Sequence, residues 1–177
     1  MKTFQQYIQE EEEGNQPKMI SVFLGRMQPF HNGHLQALKM MKYQPMILLV
    51  KGKGTSEDKK KNPFSEDYQQ KLIKKAFPEA LIRVVNNANL KPILYHLQKT
   101  GEYKVGEIVA GDDRISSYER QISKDNPDVV FTESPRVTSA TKVREAIKND
   151  DYETFKKLVP SSLHSEWKKM KDTIFEK

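Results

Sequence analysis

Cysteine is absent from the 177 residues, which excludes disulfides, thiolate zinc sites, cysteine nucleophiles and dithiol redox motifs, and fits a reducing compartment. Long apolar runs are also missing. None approaches the roughly 18 residues of a membrane-spanning helix, and no apolar stretch follows the first charges, so the chain reads as cytoplasmic, with no membrane partner and no export signal. The order Gly-x-x-x-x-Gly-Lys-Ser/Thr of a P-loop occurs nowhere, nor does a basic stripe interleaved with aromatics that would mark a nucleic-acid surface. What the chain does have is charge. Thirty Lys plus Arg stand against 24 Asp plus Glu, a formal +6, which suits nucleic acid, phosphorylated small molecules, or only a solvated basic surface. The length is enough for a single packed core without staples.

Residues 1–18 read as an arm: a short amphipathic turn with Phe4, Tyr7 and Ile8, four consecutive acids from Glu10 to Glu13, then the breakers Gly14, Asn15 and Pro17. A domain over 19–177 follows. Met19 to Leu24 predicts a buried strand, a polar loop leads to a helix over His34 to Lys42, and the apolar run Pro45 to Lys51 suits a parallel strand covered on both faces. Ser65 can cap a helix over Glu66 to Ala76. Further strands are expected at Leu81 to Val85, Glu107 to Ala110 and Val129 to Phe131, with helices at Pro92 to Lys99, Asp113 to Ser123 and Thr141 to Asn149, and a tail of two helices, Asp151 to Leu158 and Ser161 to Ile174. Alternation at this spacing predicts an α/β fold: a doubly wound, Rossmann-like, mostly parallel five-stranded sheet with helices on both faces and a helical C-terminal tail.

Ligands bind such sheets at the carboxyl ends of their strands. The first such loop runs Gly25-Arg26-Met27-Gln28-Pro29-Phe30-His31-Asn32-Gly33-His34. Three-residue spacing puts His31 and His34 on one side of the opening helical turn, and Gly33 leaves room for a ligand to approach the backbone N–H groups. A helix N-terminus favours anions. Zinc is not indicated: no third His or Cys lies nearby, and the spacing is short of His-Glu-x-x-His. A second group, Ser139-Ala140-Thr141-Lys142-Val143-Arg144, offers two hydroxyls at a helix start and a guanidinium that can hold two phosphate oxygens at once.

The first loop resembles the His-x-Gly-His signature of the nucleotidylyltransferase superfamily, and is most similar to the archaeal-type nicotinamide mononucleotide adenylyltransferases. Ser139 to Arg144 is similar to that superfamily's Ser-x-Thr-x-x-Arg element, and Asn62-Pro63-Phe64-Ser65 and Leu158-Val159-Pro160 also match the archaeal-type pattern, so the resemblance covers roughly residues 19–170. It implies transfer of a nucleoside monophosphate from ATP or CTP to a phosphate-bearing acceptor, with pyrophosphate leaving. On that reading His31 and His34 stabilise the α-phosphate, Arg26 and Arg144 neutralise the leaving group, Gly25, Met27, Gly33, Ser139 and Thr141 bind nucleotide, and Mg2+ travels with the triphosphate without a protein ligand.

The acceptor side departs from the family. An Arg expected shortly after Phe64 is missing from Ser65-Glu66-Asp67-Tyr68-Gln69, where Lys71 is the nearest cation, and a Trp expected in the following helix is replaced by Asn89-Leu90-Lys91-Pro92-Ile93; the only Trp is Trp167. Asp112 and Arg114, after the fourth strand, are the remaining acceptor candidates. These departures predict slow or absent NAD formation from nicotinamide mononucleotide, and keep cytidylyl transfer to a phosphorylated small molecule as the alternative. Lys51 to Gly54 and Lys59 to Lys61 read equally as a lid over phosphates or as a solvated loop. Met1 to Glu10 resembles the capsid-targeting leader of head proteins in T-even-type phages. It implies cleavage after Glu10 by a prohead protease and packaging in the virion head, and so a rival class, a head-packaged nucleotide- or DNA-binding protein without activity. Homo-oligomerisation stays open.

Overall fold

The computed structural model describes residues 2–51 and 57–176. Five strands, β1 (Lys18–Gly25), β2 (Gln44–Val50), β3 (Leu81–Val85), β4 (Tyr103–Ala110) and β5 (Val130–Glu133), form one sheet in the order β3-β2-β1-β4-β5, and every pairing is parallel. Parallel neighbours require crossovers, and these supply the helices: α2 (Asn32–Lys39), α3 (Glu66–Ala76), α4 (Leu90–Lys99) and α5 (Ile115–Ile122). After β5 come α6 (Ala140–Lys148), α7 (Tyr152–Leu158), a 3-10 turn (Ser161–Glu166) and α8 (Trp167–Phe175); before β1 lies α1 (Phe4–Asn15).

Central β2 shows why its apolar run has no polar alternation. Ile47 and Leu49 join Leu38, Leu72, Ile73, Val143, Ile147 and Phe155 on one face. Met46 and Leu48 join Leu90, Leu94, Ile115, Tyr118 and Ile122 on the other. Helices therefore cover both faces, as the sequence predicts, and a strand buried twice has no solvent side on which to place polar residues.

Several elements differ from the sequence expectation. The N-terminal segment is a 12-residue helix rather than a short turn, because Thr3 and Gln6 form a reciprocal capping box and the helix runs on through the acids. Helix α2 starts at Asn32, two residues before His34, and ends at Lys39. The tail from Ser161 divides into the 3-10 turn and α8, with Leu163 in the core and Glu166 accepting from Tyr68 Oη at 2.8 Å and Lys75 Nζ at 2.8 Å. Strand β4 is longer than its apolar stretch and contains Glu107, wholly buried. That carboxylate accepts from Ser21 Oγ at 2.6 Å, Lys42 N–H at 2.7 Å and Thr132 Oγ1 at 2.7 Å, so three donors offset its desolvation and tie β1, β5 and the α2–β2 turn to β4. Of the Lys-rich stretch, residues 52–56 lie outside the described residues. No described helix is long and apolar enough to cross a membrane.

The strand order sets the site. From β1 the chain winds outward through β2 and β3, then returns to place β4 on the other side of β1. Loops leaving β1 and β4 therefore part toward opposite faces, and the crevice between them is the switch point of the sheet.

Candidate active site

At that crevice lies a cleft of about 500 Å³ whose walls come from four segments: Gly25–Gln28 with His31, Gly33 and His34; Ala110, Gly111, Asp113 and Arg114 after β4; Ser134–Arg136 after β5; and Thr138–Thr141 with Arg144 at the start of α6. Lys61 completes the rim.

His31 is the N-cap of α2, in extended backbone, with its side chain only 6% exposed. Its Nδ1 accepts the Gly33 N–H at 3.1 Å, and His34 Nδ1 accepts the His31 N–H at 3.2 Å. The two rings stack with centroids 3.7 Å apart and planes 21° apart, while Phe30 and Phe23 pack on His34 at 5.4 and 5.8 Å. An imidazole nitrogen that accepts carries no proton, so the neutral tautomer of each ring places its proton on Nε2. Burial holds His31 down to about 4, and burial together with the neighbouring His31 lowers His34 well below the usual value. Both rings are thus neutral donors at pH 7.

This arrangement changes the expected use of the helix N-terminus. Two of its N–H groups are already taken by the imidazoles, so the rings, and not the bare amides of His31 and Gly33, present donors outward. The room at Gly33 serves the same packing: a Cβ there would stand 2.9 Å from His31 Cε1 and 3.1 Å from His31 Nδ1.

Burial of His31 has a consequence for stability. The unfolded chain takes up a proton near pH 6.5 and the native ring resists it until about pH 4, so stability is complete above 6.5 and falls as the pH drops toward 4, by about 3 kcal/mol at 1.36 kcal/mol per unit. His31→Asn keeps a good cap and removes the titration. Urea midpoints at pH 7 and pH 4.5 are expected to differ less in this variant than in the parent chain; equal differences would place the acid sensitivity elsewhere.

On the opposite wall, Ser139 caps α6 by accepting the Lys142 N–H at 3.3 Å. Arg144, one turn further, donates through Nη1 to the Gln28 carbonyl at 2.6 Å and through Nη2 to Thr141 Oγ1 at 3.2 Å. Partial burial and the nearby Arg26 charge lower the Arg144 pKa, a like-charge strain that an incoming anion would relieve. The cleft gathers Arg26, Lys61, Arg114, Arg136 and Arg144; among its described lining residues the one carboxylate is Asp113, 3.7 Å from Arg136 Nη2 and 4.0 Å from Arg114 Nε, and behind the rim Asp58 pairs with Lys61 at 3.6 Å. Such an excess of fixed positive charge in a concave site suits a polyanion.

The structure brings together His31, His34, Arg26, Arg144, Gly25, Met27, Gly33, Ser139, Thr141 and Arg114. It does not bring Lys71 or Asp112. Lys71 is exposed and lines a separate depression with Tyr68, Lys169 and Thr173; Asp112 is outside the lining, its carboxylate accepting the N–H of Asp113 at 2.9 Å as a turn residue does. Sequence reasoning takes Lys61 only as part of a run that reads equally as a lid or a solvated loop, and it misses Arg136, which nothing distinguishes from other basic residues along the chain. It also passed over Gln28 and Gln69. Both are buried amides, and a Gln in an otherwise apolar helical stripe is the signal that could have found Gln69.

Among the described residues no group of three His, Asp or Glu side chains could hold a metal ion. The donors that line the cleft are imidazole and guanidinium N–H groups, which fit phosphate oxygens; a divalent cation fits here as one carried in on the phosphates, with the protein holding the anion.

A family model, cytidylyltransferase-like, matches residues 22–156. Nicotinamide-nucleotide adenylyltransferase of Sulfurisphaera tokodaii is 27% identical over 164 residues, covering 86% of this chain and 92% of that protein. Among solved structures, a bifunctional NMN adenylyltransferase/ADP ribose pyrophosphatase from Francisella tularensis superposes with a TM-score of 0.60 at 21% identity, covering 89% of this chain and 52% of that one. This chain therefore spans about half of the two-activity protein. A structure of the same Francisella enzyme complexed with AMP and a manganese ion gives a TM-score of 0.57 at the same identity and coverage. With the family match extending over well more than half of its length, the chain belongs to the cytidylyltransferase-like family of nucleotidyltransferases.

Proposed function

We propose that the chain transfers the adenylyl group of ATP to nicotinamide mononucleotide and releases pyrophosphate. The observation that carries this reading is the convergence, in one switch-point cleft, of two neutral imidazole donors with five cations. The near full-length similarity to a nicotinamide-nucleotide adenylyltransferase supports this acceptor, against the slow or absent NAD formation expected from the missing Arg and Trp alone. An acceptor phosphate oxygen forms a bond to the α-phosphorus in line while the bond from that phosphorus to the bridging oxygen breaks, and the electron pair leaves with pyrophosphate. Nε2–H of His34 and His31 donate to the α-phosphate oxygens as negative charge gathers there. Arg26 and Arg144 hold the departing pyrophosphate. Arg114 and Arg136, which line the same cleft, meet the acceptor phosphate in place of the missing Arg after Phe64. Magnesium carried on the triphosphate supplies further charge neutralisation when bound. Nothing covalent is required of the protein, so its contribution is positioning and preorganised donors.

A second reading, cytidylyl transfer from CTP to a phosphorylated alcohol, is favoured by the altered acceptor side. Gln69 occupies the stretch where a cation was expected and is turned inward. A packaged binding protein without activity has no use for two unprotonated imidazoles beside Arg26 and Arg144. The experiment is pyrophosphate release with ATP, CTP, GTP and UTP against nicotinamide mononucleotide, nicotinic acid mononucleotide and glycerol 3-phosphate. Release with ATP and a pyridine mononucleotide is expected; release only with CTP and glycerol 3-phosphate moves the assignment to the second reading, and none with any pair moves it to a binding protein. The likeness of residues 1–10 to a head-protein leader extends the proposal to a phage-encoded enzyme trimmed after Glu10. That bond lies inside α1, and an isolated helix of this length opens readily.

A further inference from the structure

Among the described residues, one side chain of helix α3 hydrogen-bonds the catalytic loop. Gln69 is 3% exposed, and its Nε2 donates to two consecutive carbonyls of that loop, Arg26 O and, at 3.1 Å, Met27 O. Between those carbonyls Met27 has φ of 51°, the left-handed region that non-glycine residues avoid. Gln28 fixes the next link from the loop's own side: its amide donates to Phe64 O at 2.9 Å and accepts Phe64 N–H at 3.0 Å. The helix that carries Gln69 is itself held, with Ser65 capping it and Tyr68 and Lys75 bound to Glu166.

In a planar trans peptide the carbonyl and the next N–H point in opposite directions. Two carbonyls drawn to one amide on α3 therefore turn the N–H groups of Met27 and Gln28 away from α3, and both residues line the cleft. Neither N–H donates a backbone hydrogen bond to the described residues. Successive N–H groups around a left-handed residue form a concavity suited to anions. We propose that Gln69 is a positioning residue that holds the Arg26–Gln28 turn so that the Met27 and Gln28 amides receive a phosphate group. Resting on the nucleotidyl-transfer reading, this gives α3 a part in the site in place of the Arg missing after Phe64.

Two readouts test it, one of them independent of turnover. Titrating inorganic pyrophosphate into the full chain is expected to move the amide resonances of Met27 and Gln28 in heteronuclear spectra. In Gln69→Met, which keeps the volume and removes the donors, those responses are expected to vanish, and turnover to fall about 100-fold, the scale of a misplacement near 1 Å, with the KM for ATP within about threefold. Tyr68→Phe, which loosens the same helix without touching the loop, is expected to lower the melting temperature while turnover stays within about twofold. Gln69→Asn keeps the amide but shortens its reach, and gives partial loss of both readouts if the methionine variant does not fold. Amides that fail to respond in the parent chain, or that still respond in both Gln69 variants, overturn the proposal, as does equal loss of turnover in Tyr68→Phe. If the amides behave as expected but no nucleotide and acceptor pair releases pyrophosphate, it is the transfer reading that falls.

Discussion

His34→Ala is expected to lower turnover about 100- to 1000-fold, the cost of losing one preorganised donor to a developing charge, while ATP affinity stays within about tenfold. The ring lies over His31 at 3.7 Å and is wedged by Phe30 and Phe23. Its Nδ1 is occupied by the His31 N–H, and burial keeps it unprotonated. What remains for chemistry is a single oriented Nε2–H, and a donor aimed at charge that builds only during the reaction contributes to the rate far more than to ground-state binding. Comparable losses in kcat and in ATP affinity would make His34 a binding residue. The variant also leaves the His31 N–H without its acceptor, so the comparison belongs at a temperature where circular dichroism shows both proteins folded.

Arg144→Lys is expected to be nearly as damaging although it preserves charge. The guanidinium already bridges the Gln28 carbonyl and Thr141 Oγ1 with separate nitrogens, so its plane is set before any phosphate arrives. An ammonium has one nitrogen and cannot span both partners while also pairing two phosphate oxygens. Steady-state kinetics should show a loss of about 100-fold in kcat/KM, corresponding to one fixed charge-stabilising group. Activity within about threefold of the parent would reduce Arg144 to a solvated residue on a capped helix.

Much of this architecture is legible locally. The unbroken apolar run of β2 announces a strand covered on both faces, and Ser65 and Ser139 announce helix starts because a hydroxyl before an amphipathic run satisfies free N–H groups. The site is legible wherever spacing carries it: His31 with His34, and Ser139, Thr141 with Arg144. Less legible is what depends on phase and on distant partners. Lys71 is the first cation after Ser65–Gln69, yet it follows Gln69 by two positions, roughly 200° around a helix, so a helix that buries Gln69 turns Lys71 outward. Asp112 reads as an acceptor ligand, but a short acidic side chain after a strand is readily consumed by its own turn. Glu107 sits in what reads as an apolar run; only the assembled sheet shows Ser21, Thr132 and the Lys42 N–H converging on it. Arg136 and Lys61 reach the cleft through loop geometry that leaves no periodic trace.

Transfer at the α-phosphorus from a triphosphate to an acceptor phosphate is measured most directly by a label placed on that phosphorus. ATP carrying labelled phosphorus at the α position, incubated with the full chain, magnesium and nicotinamide mononucleotide, is predicted to yield a labelled dinucleotide and unlabelled pyrophosphate in equal amounts. Because the acceptor side lacks the expected Arg and Trp, the KM for nicotinamide mononucleotide is predicted to be high while the products remain those two. Label recovered only as ATP, or as free AMP with no dinucleotide at any acceptor concentration, would contradict the account.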